Sequence, residues 1–320
     1  MTLRIPSSST SAGLLLAGIA LFAGAAVMIL KSRTPTATPP VSSTSLAKVY
    51  PGLDLQDPAA SYQTLRYIAD TGGDEATRSQ ALVWLDEHSR SGQPLDPARE
   101  KFLLELLRSG GHPAWDIEYK LWLFNSAFNN LHASPNPEPL SEILYELAAH
   151  HPHRTMRLYA LQHIGVQRGQ GRLKGEIADR ICTLLEGQSG QADPEVAGTA
   201  IQLLVGWNRD QATADPDDIA RAIGIANDTS LPIDVRITAL HAAEAHALES
   251  ARVLAADPSQ PVLLRKAAIA LIGQHGSEND IARLEIYARE NFRLAQAAEP
   301  ARTTIRRRLT NPHARQPIPF

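Results

Sequence analysis

The chain has 320 residues, 43% of them hydrophobic but only 5% aromatic, and a single cysteine, Cys182. That length suits one extended domain with appendages, and scarce aromatics with abundant alanine suit close helix packing and argue against a β-sandwich; a lone cysteine excludes an internal disulfide. The formal net charge of −3 is uneven: residues 1–48 carry four basic side chains and residues 300–320 carry five, neither stretch holding an acid, so residues 49–299 carry −12. An acidic array with basic ends lacks the continuous basic face that phosphate neutralisation needs, so no nucleic-acid partner is expected.

After a short tail, residues 1–11, the run from Ala12 to Leu30 is free of charge. At ~1.5 Å rise per residue it reaches ~28 Å, enough to cross a bilayer as one transmembrane helix. Ala23-Gly24-Ala25 offers a signal-peptidase pattern, but apolar residues continue through Leu30, which favours an uncleaved anchor with the lipid bilayer as partner of residues 12–30. Residues 31–58 form a spacer rich in Thr, Ser and Pro. Such extended hydrophilic segments suit the outer side of a bacterial inner membrane, so residues 59–311 are expected in the periplasm.

Within residues 59–311 a core pattern recurs six times, at Thr77/Ala81/Trp84, Ile117/Leu121/Phe124, Met156/Ala160/His163, Val196/Ala200/Leu203, Val235/Ala239/Ala242 and Leu264/Ala268/Leu271. Each triplet is one helical face, and a period near 40 residues is the mark of stacked helix pairs, none of which buries its apolar face alone. The spacing predicts an all-α fold, an α-solenoid of about six helix pairs. A leading helix is expected over 60–70. The first helices of the pairs fall near 74–90, 113–131, 153–168, 194–207, 232–246 and 261–275, and their partners near 97–108, 139–150, 175–185, 216–225, 247–256 and 279–290. Pro97, Pro139, Pro194, Pro216, Pro232 and Pro261 fall at or near helix starts, where a missing N–H costs nothing. A last helix near 292–309 carries Arg302, Arg306, Arg307 and Arg308, and residues 312–320 are a tail.

Pro232-Ile233-Asp234-Val235-Arg236-Ile237-Thr238-Ala239-Leu240 and Pro261-Val262-Leu263-Leu264-Arg265-Lys266-Ala267-Ala268-Ile269-Ala270-Leu271-Ile272-Gly273 resemble HEAT repeats, including the short bacterial form related to bilin-lyase-type repeats. The family's buried arginine matches Arg78, Arg157, Arg236 and Arg265, whereas Glu118 and Ala197 depart from it. As periodicity the resemblance covers 74–290, and as motif 229–290. It implies a superhelical scaffold that recognises other macromolecules and runs no reaction. The alternative within the resemblance is an enzyme or enzyme accessory of bilin-lyase type.

Candidate chemistry is sparse. His150, His151 and His153 with Glu146, and His241, Glu244 and His246, are weak ligand groups that do not converge on one point by spacing, and no metal or cofactor is expected. His246 is placed on the Val235/Ala239/Ala242 face, as a core or interface histidine. Gly187-Gln188-Ser189-Gly190 imitates the start of a nucleophile elbow, but Gln191 stands where its last glycine belongs. No small-molecule substrate is evident. Two surfaces remain as candidates for an unidentified protein partner. One is an aromatic ridge, Trp115, Tyr119 and Trp122, on a face apart from Ile117/Leu121/Phe124. The other is the basic group Arg302, Arg306, Arg307 and Arg308, which serves either as a polar terminal cap or as an anionic contact.

Overall fold

The structure, a computed structural model, describes residues 58–91, 95–209 and 215–311. The expected span at 12–30, the tails at 1–11 and 312–320, and all of the spacer but its last residue lie outside them. No helix among the described residues is long and apolar enough to cross a membrane.

The described residues hold fourteen α-helices and no strand. These are α1 (Pro58–Thr71), α2 (Glu75–Ser91), α3 (Pro97–Ser109), α4 (Ile117–Leu131), α5 (Glu138–His150), α6 (Arg154–Gly169), α7 (Gly175–Gly187), α8 (Ala197–Arg209), α9 (Pro216–Asn227), α10 (Ile233–Ala242), α11 (Leu248–Ala256), α12 (Val262–His275), α13 (Asn279–Glu290) and α14 (Phe292–Thr310). The described residues fall into two compact units, divided between residues 177 and 178.

Several helix starts follow local chemistry. Asp96 accepts from the N–H groups of Ala98 and Arg99 ahead of Pro97, and Asp215 from that of Asp217 beside Pro216, so side-chain oxygens satisfy donors that the first turn leaves open. Three boundaries differ from expectation. The helix expected from 113 starts at Ile117, because Asp116 accepts from Tyr119 N–H at 2.7 Å and takes the N-cap. The helix expected from 194 starts at Ala197, after a π-helical turn over Gln188–Ala192. The helix expected to run to 246 stops at Ala242. Glu244 has φ 46, which a right-handed helix cannot contain, and a 3-10 turn follows over Glu244–Ala247.

In the first unit α2 packs on α4, α4 on α6, and α5 on α6. In the second, α8, α10, α12 and α14 pack in succession, while α9, α11 and α13 each pack on the helix that follows. Glycines set the closest approaches. A Cβ on Gly198 would lie 2.3 Å from the carbonyl oxygen of Val235, and one on Gly273 2.7 Å from the Cα of Ala301.

The repeating face is buried at Met156/Ala160/His163, Val235/Ala239/Ala242 and Leu264/Ala268/Leu271. In α2 and α8 the third position slips by one residue, to Leu85 and Leu204. In α4 the assignment fails. Ile117 is exposed and Leu121 half-buried, while Leu123, Phe124, Ala127, Phe128 and Leu131 form the core.

The arginines in register take up a shared task in the second unit. Arg236 Nε donates to the carbonyl of Ala226 at 3.0 Å, and Arg265 Nε to that of Ala255 at 2.9 Å, each reaching back ten residues to the end of the preceding helix. Both side chains are buried. Arg236 completes its bonds with Gln260 Oε1 at 2.9 Å, and Arg265 with both oxygens of Glu290 at 2.7 and 2.8 Å. Those bonds offset the cost of burying a charge.

Candidate functional site

The aromatic ridge divides when it folds. Trp115 precedes α4 and is 4% exposed; its indole N–H donates to the Gly72 carbonyl at 2.8 Å, and its ring meets Tyr119 edge-on at 5.3 Å. Tyr119 donates to the Arg78 carbonyl at 3.1 Å, with the Arg78 guanidinium 5.3 Å above its ring. Burial pushes the Tyr119 hydroxyl far above the usual phenol range, with Arg78 opposing in part. Trp115 and Tyr119 therefore fasten α4 to the turn between α1 and α2 and to α2 itself, and neither forms a protruding anchor. Trp122, 47% exposed, is the one member of the ridge that faces outward. On the same helix Ile117, expected in the core, is exposed at 38%, and Leu121, also expected there, is half-buried.

The basic group divides as well. Arg302 donates to Glu285 at 2.7 Å and to Glu299 at 2.9 Å, tying α14 to α13. Arg308 donates to the carbonyls of Gly273 and Gly276 at 3.0 and 2.8 Å, where it caps the C-terminal end of α12 and meets the negative end of its dipole. Arg306 is exposed, 3.5 Å from Glu285, and Arg307 is exposed.

The histidine groups do not converge. His150 is exposed, with Nε2 3.9 Å from Glu146, and His151 Nδ1 accepts from the His153 N–H at 3.1 Å to close their own turn. His246, expected on the core face, is exposed, because the break at Glu244 rotates it off that face. No group of three or more His, Cys, Asp or Glu among the described residues is placed to hold a metal. Ser189 donates to the Glu186 carbonyl at 3.1 Å and accepts from Arg221 at 3.0 Å, so its hydroxyl serves the π turn. Cys182 is half-buried, with its sulfur 3.9 Å from Glu186.

Sequence reasoning missed a buried imidazole pair in the first unit. His132 Nε2 and His163 Nδ1 lie 2.8 Å apart, and His163 Nε2 lies 3.0 Å from Asn125 Oδ1. With Asn125 Oδ1 as acceptor, His163 carries its proton on Nε2, and Nδ1 then accepts from His132. A second proton on either ring would have to enter without an acceptor. Burial pushes His132 down to about 4 and His163 down to about 3, with further lowering of His132 by Arg172 and of His163 by His132. Arg172 donates to the carbonyls of His132 and Ser134. Two histidines 31 residues apart carry no local pattern, so only packing brings them together.

The first unit also holds a cleft between α1, α2, α3 and α4, where Tyr62, Trp84, His88 and Asn130 meet Leu65, Leu85, Leu95 and Leu103. Its enclosed space is about 30 Å3, the size of a water site, whereas ligand pockets run to about 300 Å3 or more. Asn130 Oδ1 and His88 Nε2 in its wall have no hydrogen-bond partner among the described residues.

Comparison with protein-family models, with curated proteins and with solved structures finds no match.

Proposed function

We propose that the chain is a membrane-tethered, non-catalytic scaffold whose HEAT-like α-solenoid binds a protein partner. The observation that carries this reading is the equivalence of Arg236 and Arg265, 29 residues apart, each buried and each bonded to the carbonyl ten residues before it. A repeated sequence position with a repeated tertiary role is what a stacked array requires, since each repeat buries its face only against the next. The tether rests on the uncharged run at residues 12–30. The periplasmic placement rests on the composition of the spacer. The partner surface best supported is exposed Trp122 on α4, an indole of the kind that anchors interfaces.

Crosslinking of the full chain in native membranes, followed by mass spectrometry, tests the reading. A recurrent protein partner joined near α4, and retention of the chain in the pellet after carbonate extraction, are the expected results. Full release by carbonate would remove the tether, and crosslinks spread without recurrence would remove the scaffold. Labelling a Ser43→Cys variant with an impermeant maleimide reports on which side the spacer lies.

A further inference from the structure

Hydrogen bonds divide the first unit into two parts. α4 is fastened to α2 by Tyr119 on the Arg78 carbonyl at 3.1 Å, by Ser126 Oγ on Asp86 at 2.6 Å and by Asn130 Nδ2 on the Leu85 carbonyl at 2.8 Å. α5 and α6 pack on each other, and Arg157 in the first turn of α6 donates to the carbonyls of His151 and Pro152 between them. Across the junction of α4 and α6 the ties are of another kind. His163 of α6 bonds both Asn125 and His132, and Arg172, just beyond α6, donates to the carbonyls of His132 and Ser134. The His163 ring also lies against buried Phe128, with ring centroids 4.9 Å apart.

The junction accommodates one proton on each ring and no more. With His132 donating through Nε2, its Nδ1 is buried without a hydrogen-bond partner among the described residues, and His163 Nδ1 faces the His132 proton. A further proton therefore meets no acceptor on His132 and a second donor, 2.8 Å away, on His163. The surrounding charges give it no relief. Arg172 acts on His132 from the turn after α6, Glu100 of α3 accepts from Ser134 Oγ at 2.6 Å, Asp86 and His88 of α2 face Ser126 and the cleft, and no carboxylate of α5 acts on either ring. We propose that the pair is an acid-released latch: a proton on either imidazole frees α6, together with α5, from α4, while α4 stays on α2. Undocked helices of 13 and 16 residues are marginal in water, so release also melts α5 and α6 and uncovers Phe128. The inference holds with or without the tether and the partner.

Hydrogen exchange of the full chain in detergent micelles, read by mass spectrometry from about pH 7 to about pH 4.5 and corrected for intrinsic rates, tests the latch. Amides of α5 and α6 are expected to lose protection below about pH 6.5, by up to about tenfold per pH unit for each histidine, while those of α2 and α4 keep theirs. His163→Gln retains both bonds, since its amide can donate to Asn125 and accept from His132, and should reduce that slope by up to about tenfold per pH unit. Asn125→Asp gives an imidazolium an acceptor and should flatten the slope as well, which keeps the test decisive if the first variant does not fold. A slope that the variants leave unchanged would overturn the assignment to this pair. Protection of α5 and α6 that is independent of pH would overturn the latch. Equal loss in α2, α4, α5 and α6 would mean that the unit unfolds as a whole, and would overturn it too.

Discussion

Trp115 and Gly72 are joined across 43 residues of chain by one hydrogen bond, indole N–H to carbonyl, at 2.8 Å. The bond places the indole inside the first unit, against Gly111, whose φ of 73 and missing Cβ both matter: a Cβ there would lie 2.7 Å from the ring. Trp115→Ala removes a large buried ring and leaves the Gly72 carbonyl without its donor, and is expected to destabilise by about 3–5 kcal/mol. Trp122→Ala, on the surface, should stay within about 0.5 kcal/mol of the parent. Urea denaturation of both variants checks this. If Trp115→Ala unfolds at the parent's midpoint, the buried placement is wrong, and Trp122 is in either case the cleaner probe of partner binding.

Two helical glycines should respond to alanine with the opposite of the usual sign. In an open helix Gly→Ala gains about 1 kcal/mol, but at Gly198 and Gly273 the new methyl meets the neighbouring helix's backbone, which cannot swing aside, and overpacking costs about 1–3 kcal/mol. Thermal melting decides the matter. A raised Tm in either variant would mean that the two helices are further apart than described.

Arg265→Ala leaves the Ala255 carbonyl and the Glu290 carboxylate without their donor at once. Breaking a fully buried pair costs about 3–5 kcal/mol, but Glu290 is partly solvated, so about 2–3 kcal/mol is expected. Arg265→Lys should recover little of it, because one ammonium cannot reach a carbonyl and both carboxylate oxygens in the geometry of a planar fork. Chemical denaturation of the two variants and the parent provides the comparison, and full rescue by lysine would show that charge alone matters here.

The imidazole pair should make the acid sensitivity of the first unit begin above the range where carboxylates titrate. His132 and His163 have folded values pushed down to about 4 and about 3, whereas an unfolded histidine titrates near 6.5. Their contribution to stability is complete above about pH 6.5. As pH falls the unfolded chain takes up protons that the folded one refuses, so stability declines from about pH 6.5 down to about pH 4 for His132 and about pH 3 for His163, by up to about 1.4 kcal/mol per pH unit for each histidine. Denaturation midpoints across that window, for the parent and for His163→Gln, test this. A slope that the substitution leaves unchanged would assign the acid sensitivity to other groups.

Within the basic group, Arg308→Gln should cost stability, by about 1–2 kcal/mol, because it uncaps the end of α12, whereas Arg307→Gln should not. Arg306→Gln together with Arg307→Gln tests any role of these exposed charges in binding, through a reduced dependence on salt. Equal melting of the Arg307 and Arg308 variants would contradict the cap.

The all-helical class, most helix positions and the buried faces of α6, α10 and α12 were legible in the order of residues, because helical period, prolines at first turns and the recurrence of Val235-Arg236 and Leu264-Arg265 act over a few residues at a time. The face of α4 was not. Its apolar and aromatic side chains surround the helix, so periodicity offers several faces of similar strength, and the choice falls to contacts made 40 or more residues away, Trp115 with Gly72 and Tyr119 with Arg78. Tertiary structure likewise decided which arginines of the last helix are bonded and which are free to meet solvent, since both kinds look alike in sequence. It alone produced the His132–His163 pair, because proximity across separate helices leaves no trace in the spacing of residues along either one.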